Sequence, residues 1–424
     1  MDNSFSQRKR QMITKSGIGF LLQHMRGSTH ETNSTDDESE GEPSNQELNI
    51  DLIKNEDILQ ENAENQVVIP KLSKISEDLS LPSDENFYSN LKPFQEISDC
   101  FKEGTTPNFD AHIRRFIGEN NYVRSCKWSS DGNWLISDSL DRFVRVFEFR
   151  DFLPADEHQK QRLLHASHKL AFGGLIYDLN WHPALNIFAT TNKGSPIHCW
   201  SASVDGTRLF SSFRGINDKD ELESAHSLCF SVDGQHLFAG FKNCVRIFNF
   251  EKPGRQINEI KTYQKSTMKT QKGIISSLAM CPTFDGVFAV ASYSGTWLYS
   301  TQTNACDSLI GSNDGSTPMT HLQYSSCGNL LFAGRRKSPF IQCYDVRLPT
   351  KLLYNFQRES ITNQRIYFQL DFNDHYLYSG SSAGDLLIYD LKKCNKGLNQ
   401  QELKTEFVEP AHKIKCSEAA VTGL

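Results

Sequence analysis

The chain has 424 residues, with 45 Lys and Arg against 51 Asp and Glu and a formal charge of −6. That length suits one large domain or two smaller ones. No apolar run reaches the roughly 18 residues of a membrane-spanning helix, and Met1-Asp-Asn-Ser opens without the apolar core of a secretory signal. Eleven cysteines, an odd number spread thinly, make no disulfide framework and predict a reducing compartment. The near-even charge balance excludes a purely charge-driven nucleic-acid binder of the histone type.

Charge is placed unevenly. Residues 1–100 hold 19 acidic and 9 basic side chains, which leaves 32 acidic and 36 basic in 101–424. The first thirty residues carry the tri-basic Arg8-Lys9-Arg10 with Lys15 and Arg26, a pattern shared by nuclear-import signals and ordinary solvated clusters. Thr32 to Gln46 has charges, Ser, Asn and Pro with no apolar face to bury, so 1–100 is predicted to be a disordered, acidic tail. Within it Ile50, Leu52, Ile53, Ile58 and Leu59 fall at helical spacing. A short partner-binding helix and fluctuating coil both fit.

From Tyr122 onward one pattern recurs: an alternating strand, a tight turn, a second strand ending in small residues, a short loop, then an apolar strand closed by an aromatic. The copies fall near 123–149, 176–201, 226–250, 274–300, 320–346 and 366–391, and 404–424 reads as the start of a seventh. The closing aromatics are Phe147, Trp200, Phe248, Tyr299, Tyr344 and Tyr389. Asp131-Gly132 and Asp233-Gly234 are predicted to supply the positive φ of two-residue hairpin turns. A single four-stranded sheet leaves two faces uncovered, and radial stacking of several sheets covers them.

Residues 101–424 are therefore predicted to form an all-β propeller of six complete blades plus a partial seventh. Tyr344-Asp345 and Tyr389-Asp390 stand where WD40 repeats carry Trp-Asp. A strand near His112 to Ile117 is a candidate to join the last blade and close the ring.

HExxH, GxxxxGK[ST] and GxGxxG are all absent. The cysteines never occur as CxxC, and Cys126, Cys199, Cys229, Cys244 and Cys281 read as buried small residues rather than metal ligands. His226 and His321 stand at the start of a first strand, where WD40 repeats often place a His bonded within its blade. The chain is expected to be neither an enzyme nor a cofactor carrier.

The loops between second and third strands, and those leading into first strands, share one face of a propeller. That face is predicted to carry Lys193, Arg214, Lys242, Lys265, Lys269, Lys272, Arg335, Arg336, Lys337, Arg358 and Arg365, interrupted by Asp218, Asp220, Glu221, Asp314 and Glu359. With Tyr293, Phe340 and Tyr367 near them, such cations suit a short unpaired RNA segment: guanidinium forks hold phosphates and guanine edges, and rings stack on bases. A solvated rim of scattered charges is the alternative.

The stretch from Asn121 to Leu391 resembles the telomerase Cajal body protein 1 family. The segments that carry the likeness are SFRGINDKDELESAHSLCFSVDGQHLFAGF (Ser212–Phe241), QKGIIS (Gln271–Ser276) and TNQRIYFQLD (Thr362–Asp371). The resemblance implies a nuclear, Cajal-body WD40 scaffold that recognises the localisation box of small Cajal body RNAs. Its implied partners are those RNAs and their ribonucleoprotein proteins, with telomerase RNA in the set in many species. No membrane and no small-molecule substrate is implied.

Joined to that likeness, the rim geometry gives a candidate RNA site of Arg214, Arg335, Arg336, Lys337, Asn363, Gln364 and Arg365, with Tyr367 as stacker or strand core. Arg335 and Arg336 are expected to hold phosphates while Asn363 or Gln364 reads a base, a contact worth about 1–3 kcal/mol of discrimination. The competing class is a protein-interaction scaffold. Tyr344-Asp345-Val346-Arg347 resembles the WDxR element with which some WD40 proteins dock on a ubiquitin-ligase adaptor, and an Asp–Arg pair at that spacing also braces blades internally.

Overall fold

A computed structural model describes residues 121–149, 166–264, 271–311, 317–394 and 405–423. The acidic tail, the strand expected near 112–117, Lys265, Lys269 and Asp314 lie outside those residues.

The described residues form six blade sheets, five of four strands and one of five, whose first three strands pair antiparallel in chain order. Blade one is β1 (Val123–Trp128), β2 (Trp134–Ser139), β3 (Phe143–Glu148) and β4 (His168–Ala171). Blade two is β5 (Ile176–Trp181), β6 (Ile187–Asn192), β7 (Ile197–Ser203) and β8 (Gly206–Phe213), followed by a small hairpin of β9 (Gly215–Ile216) and β10 (Leu222–Glu223). Blade three is β11 (Ser227–Phe230), β12 (His236–Gly240), β13 (Cys244–Asn249) and β14 (Asn258–Lys261). Blade four is β15 (Ile275–Met280), β16 (Val287–Ser292), β17 (Gly295–Ser300) and β18 (Ala305–Ile310). Blade five is β19 (Met319–Tyr324), β20 (Leu330–Arg335), β21 (Phe340–Asp345) and β22 (Leu352–Gln357). Blade six begins with β23 (Phe368–Leu370), β24 (Tyr376–Gly380) and β25 (Asp385–Asp390).

The first strands of successive blades touch one another and so line a central channel. Apolar residues alternate outward along the second and third strands, and each blade buries them against the next. Trp134, Val144 and Val146 of blade one pack on Ile176, Leu179 and Trp181 of blade two, and equivalent shared cores join every neighbouring pair through blades five and six. Five of the six closing aromatics are buried, while Trp200 stays half-buried with its Nε1 donating to Thr190 Oγ1 at 3.0 Å.

Residues after 404, read as the opening of a seventh repeat, do three things. Glu406–Val408 (β26) adds to blade five, pairing in parallel with β22 from Tyr354 to Phe356. His412–Lys415 (β27) then returns to blade six as its outer strand against β25. Among the described residues only 417–423 stands at the seventh position, as a run between blade six and blade one. There the Tyr367 amide donates to Thr422 O at 3.0 Å, Val421 N donates to Ser381 O at 3.0 Å, and Thr422 Oγ1 donates to Val123 O at 2.7 Å. Among the described residues the seam has no shared apolar core: Leu135 and Phe147 cluster within blade one, and Tyr378, Leu386 and Ile388 within blade six.

The turns differ in detail from the two-residue hairpins expected. Ser129 N donates to Trp134 O and Gly132 N donates to Ser129 O, so the loop is longer. Within each Asp-Gly pair the glycine alone takes positive φ, 72° at Gly132 and 80° at Gly234. Asp131 instead accepts from Ser129 Oγ and Asn133 N, organising the loop through its carboxylate rather than its backbone.

Candidate nucleic-acid interface

One face of the ring gathers the loops between second and third strands with the segments leading into first strands. Their backbones bond directly: Lys193 N to Leu175 O, Asn243 N to Gly273 O, Arg336 N to Pro318 O and Ser382 N to Glu359 O, all at 2.9–3.0 Å. Lys193, Lys242, Lys272, Arg336 and Lys337 are exposed there. Among the described residues none of their side-chain cations has a carboxylate within 4.0 Å. Glu359 is exposed on the same face.

The acids expected to break up the rim are mostly engaged elsewhere. Asp218 pairs with Lys261 at 3.0 Å and Asp220 with Arg255 at 2.7 Å, both on the β9–β10 hairpin folded against blade three. Glu221 closes that hairpin, accepting from Asn217 Nδ2 at 2.9 Å.

The expected site residues separate into three groups. Arg336, Lys337 and Asn363 are exposed, and Gln364 is half-buried beside them with its amide donating to Thr362 Oγ1. Arg214 is exposed but leaves blade two, three blades around the ring from Arg336, and bridges Arg255 in parallel fashion. The third group turns inward.

Arg335, the last residue of β20, is only 8 % exposed. Its Nε donates to Gln342 Oε1 at 3.1 Å and its Nη1 to Thr317 O at 3.4 Å. Arg358, placed on the rim from sequence, is 2 % exposed between blades five and six, bonding Ile366 O and Ser379 Oγ. Burial pulls its pKa down to about 10, since no carboxylate stands near it among the described residues.

Arg365 reaches into the channel. Its Nη1 donates to Tyr367 Oη at 3.0 Å and its Nη2 to Ser276 O in blade four at 2.8 Å, and Asp178 of blade two lies 3.9 Å away. Tyr367 packs edge-on against His321 at 4.9 Å, with the Arg365 and Lys127 cations 5.5 and 6.0 Å from its ring centre. Sequence reasoning missed the charges that meet this arginine. Lys127 lies 3.6 Å from Asp178 and Arg124 lies 3.8 Å from Asp138. Burial opposes the charge on Lys127, yet Asp178 and then Tyr367 hold its pKa above the ordinary lysine value. Polar residues standing among apolar ones on a first strand were the available signal.

His321 also departs from expectation. Its Nε2 faces Phe368 O of the next blade at 3.2 Å, so it ties blade five to blade six rather than bracing its own. His226 packs against Tyr177 of blade two, ring centres 4.8 Å apart and tilted by 36°. Arg347 is held by Asp345 through Nε at 2.9 Å and Nη2 at 2.7 Å, the geometry of local bracing.

A WD domain, G-beta repeat model matches residues 110–148. Telomerase Cajal body protein 1 of Mus musculus is 36% identical over 347 residues, covering 75% of this chain and 63% of that protein. The Drosophila melanogaster homolog of that name is 31% identical over 291 residues, 64% of this chain and 51% of its own. Over the matched stretch the chain is similar to the telomerase Cajal body protein 1 family. It spans less than two thirds of the length of these two relatives. A guanine nucleotide-binding protein negative regulator 1 of Schizosaccharomyces pombe is 26% identical over 280 residues, covering 62% of this chain and 69% of that protein. The family's WD40 architecture is a scaffold fold, and the six sheets here present it.

Proposed function

We propose that this chain is an RNA-binding scaffold that recognises the localisation box of small Cajal body RNAs and directs their ribonucleoproteins to Cajal bodies in the nucleus. Telomerase RNA is a client where it carries such a box. The observation that supports this reading is the set of exposed cations, Lys193, Lys242, Lys272, Arg336 and Lys337, on one face with no carboxylate partner among the described residues. Phosphates supply the missing counter-charge.

In this reading Arg336 and Lys337 hold phosphates, and Asn363 and Gln364 read a base edge. Arg335 and Arg365 act indirectly, since Arg335 Nε and Nη1 are held by Gln342 and Thr317, and Arg365 Nη1 and Nη2 by Tyr367 and Ser276. Purification from nuclear extract with sequencing of crosslinked RNA tests the proposal. Enrichment of small RNAs sharing a loop motif is expected. A ligase adaptor without enriched small RNA would overturn it in favour of a protein-docking scaffold.

A further inference from the structure

Tyr293 lies in the loop between β16 and β17 of blade four, and it is 56% exposed. Among the described residues its ring meets no other ring. Beside it Ile274, in the segment leading into β15, is 47% exposed. The two belong to one built corner. Lys242 and Ile274 form an antiparallel bridge, Asn243 and Gly273 exchange two hydrogen bonds, and Ser294 Oγ donates to Lys272 O at 3.1 Å. Gly273 adopts φ 111°, and a Cβ there would come within 3.9 Å of Tyr293 Cβ. The absent side chain leaves that flank of the tyrosine open. Lys272 Nζ stands 5.7 Å from the Tyr263 ring centre, and neither Lys242 nor Lys272 has a carboxylate within 4.0 Å among the described residues.

An exposed ring beside ammonium groups that have no carboxylate partner among the described residues fits a nucleotide better than a protein side chain. The ring offers a π-face to any base, and the cations suit the phosphates on either side. We infer that Tyr293 stacks an unpaired base of the bound RNA, with Ile274 as the second apolar contact and Lys242 and Lys272 holding its flanking phosphates. This rests on the RNA-binding reading above. Blade four adjoins blade five, so the platform extends the footprint from Arg336 and Lys337 around the channel mouth. Stacking is tolerant of base identity, so this corner adds affinity without setting the box preference.

The test uses the full chain and a fluorescent pool of RNA hairpins with a randomised loop. Y293A is expected to weaken binding roughly 10-fold without changing the selected motif, and Y293W to restore it. K242Q with K272Q is expected to lower the slope of log affinity against log salt by about 1.4. Unchanged melting temperatures show that each variant is folded. If wild type binds and Y293A and the lysine double variant bind identically, the platform is wrong while RNA binding stands. If Y293A keeps its RNA affinity but loses a copurifying protein, the corner belongs to a protein partner. Absence of RNA binding by wild type overturns both readings.

Discussion

Arg365 and Ser276 stand 89 residues apart, yet the arginine Nη2 donates to the serine carbonyl at 2.8 Å. One guanidinium thus joins blade six to blade four across the channel, and it lies 3.9 Å from Asp178 of blade two. A ring whose described residues share no apolar core at the seam gains from such a cross-brace.

Replacing Arg365 with Ala removes the bonds to Ser276 O and Tyr367 Oη. Hydrogen bonds to charged groups contribute about 1.5–3 kcal/mol each, so a destabilisation of about 3 kcal/mol is expected in urea denaturation. R365K keeps the charge but not the fork, and should fall between. A change within about 0.5 kcal/mol in R365A would remove the brace from the account.

The seam has a separate test in Gly380. A Cβ at this position would overlap the Val421 carbonyl oxygen, which is backbone and has no rotamer to yield. G380A is expected to cost about 2–3 kcal/mol and to speed amide exchange across 417–423. G194A is the control: Gly194 has φ 77° with nothing within 4 Å of a built Cβ, and only backbone strain of about 1–2 kcal/mol is expected, without faster exchange at the seam.

Stability should fall on acidification through the histidines. Burial, then Lys127 and Arg365 beside it, hold the His321 pKa well below 6.5, and burial lowers His182, His198 and His226 as well. The unfolded chain takes up these protons near pH 6.5 while the native ring resists them. Each ring's contribution is therefore full above that pH and lost as pH falls, by up to about 1.4 kcal/mol per pH unit. The denaturation midpoint is expected to drop between about pH 7.5 and about pH 5.5, and less steeply in H321Q. An equal slope in both proteins would show that His321 stays neutral for no energetic reason.

Arg336 and Lys337 carry the phosphate prediction. R336Q with K337Q leaves stability within about 0.5 kcal/mol, since both side chains are exposed. RNA affinity should fall evenly across loop sequences, and the salt slope should drop by about 1.4. N363A should instead flatten the preference for one motif, costing about 1–3 kcal/mol only on the favoured box. Motif-selective loss in the arginine–lysine variant would reverse these roles.

The strand pattern carried the architecture because alternation, the Asp-Gly turns and the closing aromatics are local features. Which way a cation faces is less local. Arg335 shares the parity of Ala333 on β20 and turns inward with it, whereas Arg336 begins the loop and turns out. Arg358 and Arg365 lie in a connection with no alternation to read, and their partners Ser379 and Ser276 come from other blades. The fate of 404–424 was hidden for the same reason: β26 and β27 choose sheets through pairings with Tyr354 and Ile388, remote in sequence.

Photocrosslinking of bound RNA followed by mapping of the modified peptides tests the central claim most directly. Adducts are expected on the face that carries Lys242, Lys272, Tyr293, Arg336, Lys337 and Asn363. Adducts confined to the opposite face, around Phe284 and Leu348, or to residues 1–100 would contradict it.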